Sequence, residues 1–107
     1  HIHERGDCSA ADAASAGGHF DSHEPKNWST RHGGPRAADR HSGDLGNIVF
    51  DQNGKAVVNM MVGGIAVDQG PIGIIGRALV VHFLADDLKT DPTGDAGARA
   101  ACGVIER

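Results

Sequence analysis

From Arg5 to Gly46 this 107-residue chain shows almost no apolar periodicity, and sixteen glycines are spread along its length. Neither the 3.6-residue repeat of a surface helix nor the alternation of a half-buried strand survives such a stretch, so much of the chain must be loop. A small loop-rich domain needs cross-links or metals to supplement a thin core. Residues suited to both are present, two cysteines and seven histidines.

Six of those histidines and one aspartate form an ordered array, His1, His3, His19, His32, His41, Asp44 and His82, with donors enough for two metal ions. His1-Ile2-His3 reads as a strand end, where alternate side chains share a face and two imidazoles can close on one ion. His41-Ser42-Gly43-Asp44 brings two further ligands together locally.

The remaining elements read as short strands. Asn47 to Asp51 and Lys55 to Met61 are extended candidates joined by Asn53-Gly54, a good hairpin signal. Ile74 to Phe83 is the strongest strand, with Leu79, Val81 and Phe83 expected to face a core while Ala78, Val80 and His82 face the other way. Ala100 to Ile105 is a final strand, and Asp86 to Arg99 is a loop punctuated by Pro92, Gly94 and Gly97. The alanines at 10, 11, 13 and 14 sit among serines and glycines, which limits them to one short turn.

Length favours one domain, residues 1–107. A net charge of −4 without a basic run argues against a nucleic-acid partner, although a local field beside cations can still guide a small anion. The best apolar stretch, Ile72 to Ala85, is interrupted by Gly73, Gly76, Arg77 and His82 and falls short of the ~18 residues a membrane helix needs. No membrane partner is expected. A chain opening on His1 rather than methionine is expected to be processed, trimmed or part of something longer.

The strings around the array are specific: Gly17-Gly18-His19-Phe20, His32-Gly33-Gly34-Pro35, His41-Ser42-Gly43-Asp44-Leu45-Gly46-Asn47 and Gly76-Arg77-Ala78-Leu79-Val80-Val81-His82. Together they resemble copper/zinc superoxide dismutase, from His1 to Ile105. The resemblance implies an all-β fold, an eight-stranded Greek-key barrel, of which this chain carries the second half. In the family three strands and most of a fourth precede the position of His1, so a barrel built from this chain alone has open edges. A fragment of a longer polypeptide, a separately supplied N-terminal piece, and two chains completing one another are the competing explanations, the first and third being favoured. A homodimer or such complementation is the expected assembly.

The same resemblance implies copper on His1, His3, His19 and His82, and zinc on His19, His32, His41 and Asp44, with no other cofactor. Imidazoles suit both copper oxidation states, and a closed tetrahedral zinc site is structural. His19 would bridge the ions and serve as ligand and proton store while superoxide is converted to dioxygen and hydrogen peroxide. Arg99 would bind the superoxide anion, with Lys89 a weaker candidate for long-range attraction. Asp86 would accept hydrogen bonds from His1 and His32 and so orient rings at both ions, Asp87 being its neighbouring decoy. Cys8 and Cys102 would form the family disulfide, closing a ring worth up to about 4–5 kcal/mol in the chain-entropy model. His23 lies in an extended stretch and is expected to be exposed; as a zinc ligand it would displace His32.

Asp95 stands where the family often has asparagine, and the Asp86 to Arg99 loop lacks a long acidic insertion. With Gly6-Asp7-Cys8-Ser9-Ala10, this makes the chain look bacterial and a periplasmic or secreted origin the first expectation, with the cytoplasm as alternative. Rival functions are metal handling without turnover, in a protein inactive through truncation, and a copper clamp at a true N-terminus made by the His1 amine with His3. The first is disfavoured because no ligand and no arginine is missing.

Overall fold

The computed structural model describes residues 1–22 and 31–107; His23 lies outside the described residues. Three strands form one antiparallel sheet in the order β1-β2-β3: β1 is Ile2–His3, β2 is Ala78–His82 and β3 is Arg99–Val104. Pairing sets Ile2 against Leu79 and Val80 against Cys102. Valines at 80 and 81 suit the pleated, partly buried surface that β2 provides. The β1–β2 ladder extends one residue further, since the His1 nitrogen donates to the Val80 carbonyl at 3.0 Å and Val80 N–H returns a bond to His1 at 2.9 Å. That engages the His1 nitrogen in the sheet.

The other edge of β1 is covered by the loop that follows it. Glu4 N–H reaches the Gly18 carbonyl at 3.0 Å, Arg5 N–H reaches Ala16 at 3.0 Å, and Phe20 N–H reaches Ile2 at 2.8 Å. Alanine-rich sequence in this loop forms one 3₁₀ turn, Ala14–Ala16, in line with the expectation of a single short turn. Among the described residues this turn is the helical content, and no helix is long and apolar enough to cross a membrane.

Between β2 and β3 the register slips. Val81 pairs with Ala101 but His82 pairs with Arg99, so Ala100 is the extra residue of a bulge. Bulges re-aim side chains, and this one sets the Arg99 and His82 backbones opposite each other.

Two expectations are corrected. Ala78 and Val80, at 0% and 1% exposure, face the core, whereas Leu79 and Phe83 are 45% and 70% exposed; the two faces of β2 are the reverse of the sequence reading. Alternation identified two faces, but only the packing of Ala16, Cys8 and Cys102 onto Ala78 and Val80 decided which is covered. Second, Asn47 to Asp51 and Lys55 to Met61 form no strands. The turn at Asn53-Gly54 does exist, with Gly54 at φ 75° and Asp51 N–H bonded to the Lys55 carbonyl at 2.8 Å. The ladder beyond it is missing because these arms have no sheet to join among the described residues.

Their apolar residues instead border an open trough of about 550 Å³, lined by Ile48, Phe50, Val58, Leu79, Val81 and Phe83 among others. The sheet is therefore an open one rather than a closed barrel. Regular strand also begins later and ends sooner than Ile74 to Phe83, since Arg77 N–H closes a turn onto Ile74 at 3.1 Å.

Candidate metal centre

The histidines converge because three backbone segments approach one another unusually closely. His3 and His19 form an isolated antiparallel bridge that carries the two rings into one cluster. Ile2 N–H donates to the Gly43 carbonyl at 2.9 Å, and Gly43 N–H to Phe20 at 2.9 Å, stitching the His41 to Asp44 loop to β1 and to the His19 segment. A Cβ at position 43 would collide with the Ile2 carbonyl, so this approach requires glycine.

Two overlapping groups of donors result. In one, ligand atoms of His1, His3, His19 and His82 lie within 4.8 Å of one another; in the other, so do those of His1, His19, His32 and Asp44. The second group contains His1 where the sequence reading has His41. His41 is nevertheless adjacent, its Nδ1 being 3.2 Å from Asp44 Oδ2. Asp44 Oδ1 lies 2.9 Å from His19 Nδ1 and 3.0 Å from His32 Nδ1. The His32 pair is close without the alignment of a hydrogen bond, which is how two ligands of one ion stand.

Asp44 is itself held in place. Its Oδ2 accepts from His41 N–H at 2.8 Å and Gly33 N–H at 3.1 Å. Burial alone would raise its pKa, but hydrogen bonds from His19 and His41, the charge of His41 and the Gly33 N–H hold the carboxyl below the usual range. It stays a carboxylate, the state a metal needs.

On the other side, His3 Nε2 and His82 Nε2 are 3.4 Å apart. Burial lowers the His3 pKa to about 3, and burial likewise lowers those of His19 and His82. Buried imidazoles kept neutral are ligands, not cations. His1 Nδ1 and His19 Nε2 are buried without a hydrogen-bond partner. A buried polar nitrogen left so is costly in a metal-free protein, and a lone pair given to an ion removes the cost. The donor set therefore fits: imidazole nitrogens for copper, and three imidazoles with a carboxylate for zinc.

Around these donors the distal ring nitrogens are anchored. Asp86 accepts from His1 Nε2 and from His32 Nε2, each at 2.6 Å, and Gly94 packs so tightly against this contact that a Cβ would strike the Asp86 carboxylate. His82 Nδ1 meets the Gly97 carbonyl at 3.2 Å. The Gly17 carbonyl serves two groups at once, His3 Nδ1 at 2.7 Å and Arg99 Nη2 at 2.6 Å, while Arg99 Nη1 donates to Ala13 at 2.7 Å.

Asp86 and its decoy separate cleanly. Asp87 is exposed and turns to Thr90 and the Lys89 N–H, and Lys89 is exposed too, outside both donor groups. Sequence reasoning missed Asn47, which bonds the Asp86 backbone, and Asp91, whose carboxylate accepts the His32 N–H at 2.6 Å. No local signal marks either, because their partners are distant in the chain. Cys8 and Cys102 are joined as a disulfide.

Comparison with known proteins agrees with this geometry. The family model for copper/zinc superoxide dismutase (SODC) matches residues 1–105. Superoxide dismutase [Cu-Zn] 4 of Dictyostelium discoideum is 43% identical over 100% of this chain and 70% of its own length. Superoxide dismutase [Cu-Zn] 2 of Aquifex aeolicus is 39% identical over 98% of this chain and 61% of its own. The extracellular superoxide dismutase [Cu-Zn] of Caenorhabditis elegans is 40% identical over 98% and 47%. The crystal structure of the clock protein EA4 superposes with a TM-score of 0.83 at 44% identity, covering 97% of this chain and 66% of that one. The chain thus spans about half to two thirds of the length of the relatives it matches. With a family match along nearly all its residues and a histidine cluster to go with it, the chain belongs to the copper/zinc superoxide dismutase family.

Proposed function

We propose that this chain carries the catalytic half of a superoxide dismutase, converting two superoxide anions and two protons to dioxygen and hydrogen peroxide. Residues 1–107 are read as a single incomplete domain. Copper is assigned to His1, His3, His19 and His82, and zinc to His19, His32, His41 and Asp44. Copper supplies one-electron redox chemistry when bound, and zinc supplies fixed charge and geometry.

One observation carries the reading: of the two rings common to both donor groups, His1 has its Nε2 taken by Asp86, whereas His19 has Nδ1 on the zinc-side Asp44 and Nε2 buried without a hydrogen-bond partner. Nε2 is thus the atom at which this chain can take up a proton and return it to a reduced substrate. Arg99, tied by two backbone carbonyls, holds a fixed cationic fork on the same carbonyl that orients His3, a place where a small anion is attracted and aligned. Asp86 fixes the rings of His1 and His32.

A bacterial origin and a periplasmic or secreted location are part of the proposal. The relative from Aquifex aeolicus supports the first, and the disulfide and the extracellular relative support the second. Assembly as a homodimer, or with the strands that precede this region in longer relatives, is supported by the open apolar trough.

The test is superoxide decay by the copper- and zinc-loaded protein, followed together with metal content. Activity should fall about 100-fold or more in His19→Ala, the scale of a lost ligand and proton donor. Both ions bound without magnetic coupling between Cu(II) and a Co(II) placed in the zinc position would rule out the shared ring.

A further inference from the structure

We infer that Asn47 is a positioning residue for both sides of the metal centre, acting through Asp86; this rests on the ligand assignment just proposed. Asn47 Nδ2 donates to the Asp86 carbonyl at 2.9 Å, and its Oδ1 accepts the Asp86 N–H at 2.8 Å, across 39 residues of sequence. A side-chain amide carries a donor and an acceptor and can answer a peptide N–H and C=O together. Asn47 therefore stands in for one rung of a β-ladder where no strand runs.

The rest of Asp86 leaves little freedom. Oδ2 takes His1 Nε2 at 2.6 Å, while Oδ1 takes His32 Nε2 at 2.6 Å and the Leu88 N–H at 2.7 Å. Leu88, whose N–H meets that oxygen, sits at φ 66°, an unfavourable left-handed conformation for a branched apolar residue. Such strain persists only where the surroundings over-determine the backbone. The Asn47 amide is the part of that restraint that reaches the Asp86 backbone from outside the loop. Without it the Asp86 backbone can relax, and both carboxylate oxygens move together, so His1 and His32 lose alignment at once. Asp91 provides an internal contrast, because its carboxylate bonds the backbone of His32 on the zinc side.

Asn47 is exposed, so truncating it opens little space in the core. The experiment compares Asn47→Ala, Asn47→Asp, Asp91→Ala and Asp86→Asn with the parent protein, each loaded with Cu(II) and Zn(II). Zinc affinity is read by competition with a chromogenic chelator, and the copper environment by electron paramagnetic resonance. Asn47→Ala should weaken zinc about 10-fold and shift the copper spectrum as well, the scale expected when an outer partner of a ligand is lost. Asn47→Asp keeps the acceptor and loses the donor, and should move both readouts in the same direction by less. Asp91→Ala should weaken zinc and leave the copper spectrum in place.

Parent-like zinc affinity and copper spectra in Asn47→Ala would overturn the inference, even if thermal stability dropped. If that variant does not fold, unchanged readouts in Asn47→Asp overturn it equally. Asp86→Asn separates the two levels: altered readouts there with unaltered ones at Asn47 sink this inference alone. Parent-like metal binding in Asp86→Asn would instead sink the reading of Asp86 as the residue that fixes His1 and His32, on which this inference rests.

Discussion

The two faces of β2 could hardly be more different. On one, Ala78 and Val80 are sealed beneath Ala16, Cys8 and Cys102, and His82 joins an interlocked set of buried imidazoles and carboxylates. On the other, Leu79 and Phe83 look into an open apolar trough beside Ile48 and Phe50. The polar side is finished and the apolar side is not. A metal centre can thus be assembled from loop backbone, glycine close approaches and one covalent cross-link, with little contribution from a conventional core.

Acid should expose the difference most broadly. In an unfolded chain imidazoles take up protons near pH 6.5, whereas burial keeps the folded His3 neutral down to about pH 3, with His19 and His82 lowered in the same direction. Protons then favour the unfolded state across that window. The metal-free protein should lose stability as the pH falls from about 6.5 to about 3, read from urea midpoints. A flat profile would mean that the finished face is solvated without metal.

Removing the cross-link comes next. Cys8→Ser with Cys102→Ser should cost about 2–5 kcal/mol, because the bond ties the long loop to β3 and closes most of the chain into a ring. If thermal unfolding were unchanged, the loop would be held by its backbone bonds and metals alone. Asp44→Asn should then lower zinc affinity by at least about 10–100-fold, equivalent to roughly 1.4–2.7 kcal/mol. Retained zinc would point to His1 or another donor completing the site.

The smallest effects belong to β2 and to Phe83, the residue that follows it. Val80→Ala should cost about 1–2 kcal/mol, the scale of two buried methylene equivalents. Phe83→Ala should stay within about 0.5 kcal/mol, as for an exposed position. A larger loss at Phe83 would show that something covers the trough in the working protein, and would identify the two faces as equally buried.

Much of the site was legible because each donor sits in its own specific string, and because His1 and His3 alternate on one short strand. Arg99, Asp86 and the disulfide followed from resemblance, and the structure brings each into contact with the cluster or the loop around it. The burial of β2 was read backwards. Alternation is symmetric between faces, and Leu79, Val81 and Phe83 are the more apolar set, so composition pointed to the wrong side. Asn53-Gly54 correctly announced a turn, but a turn does not make a ladder when its arms lack a neighbour.

What the amino-acid order determined by itself is the donor inventory, the places where glycine allows close approach, and the family, since these depend on which side chain stands at each position. Only the tertiary structure decided which face of β2 is covered, that the Ala100 bulge sets Arg99 opposite His82, and that Asn47 answers the backbone of Asp86. Those are relations between segments that lie well apart in the chain. Hydrogen bonding and packing at such separations depend on where the backbone finally runs, and no local pattern encodes it.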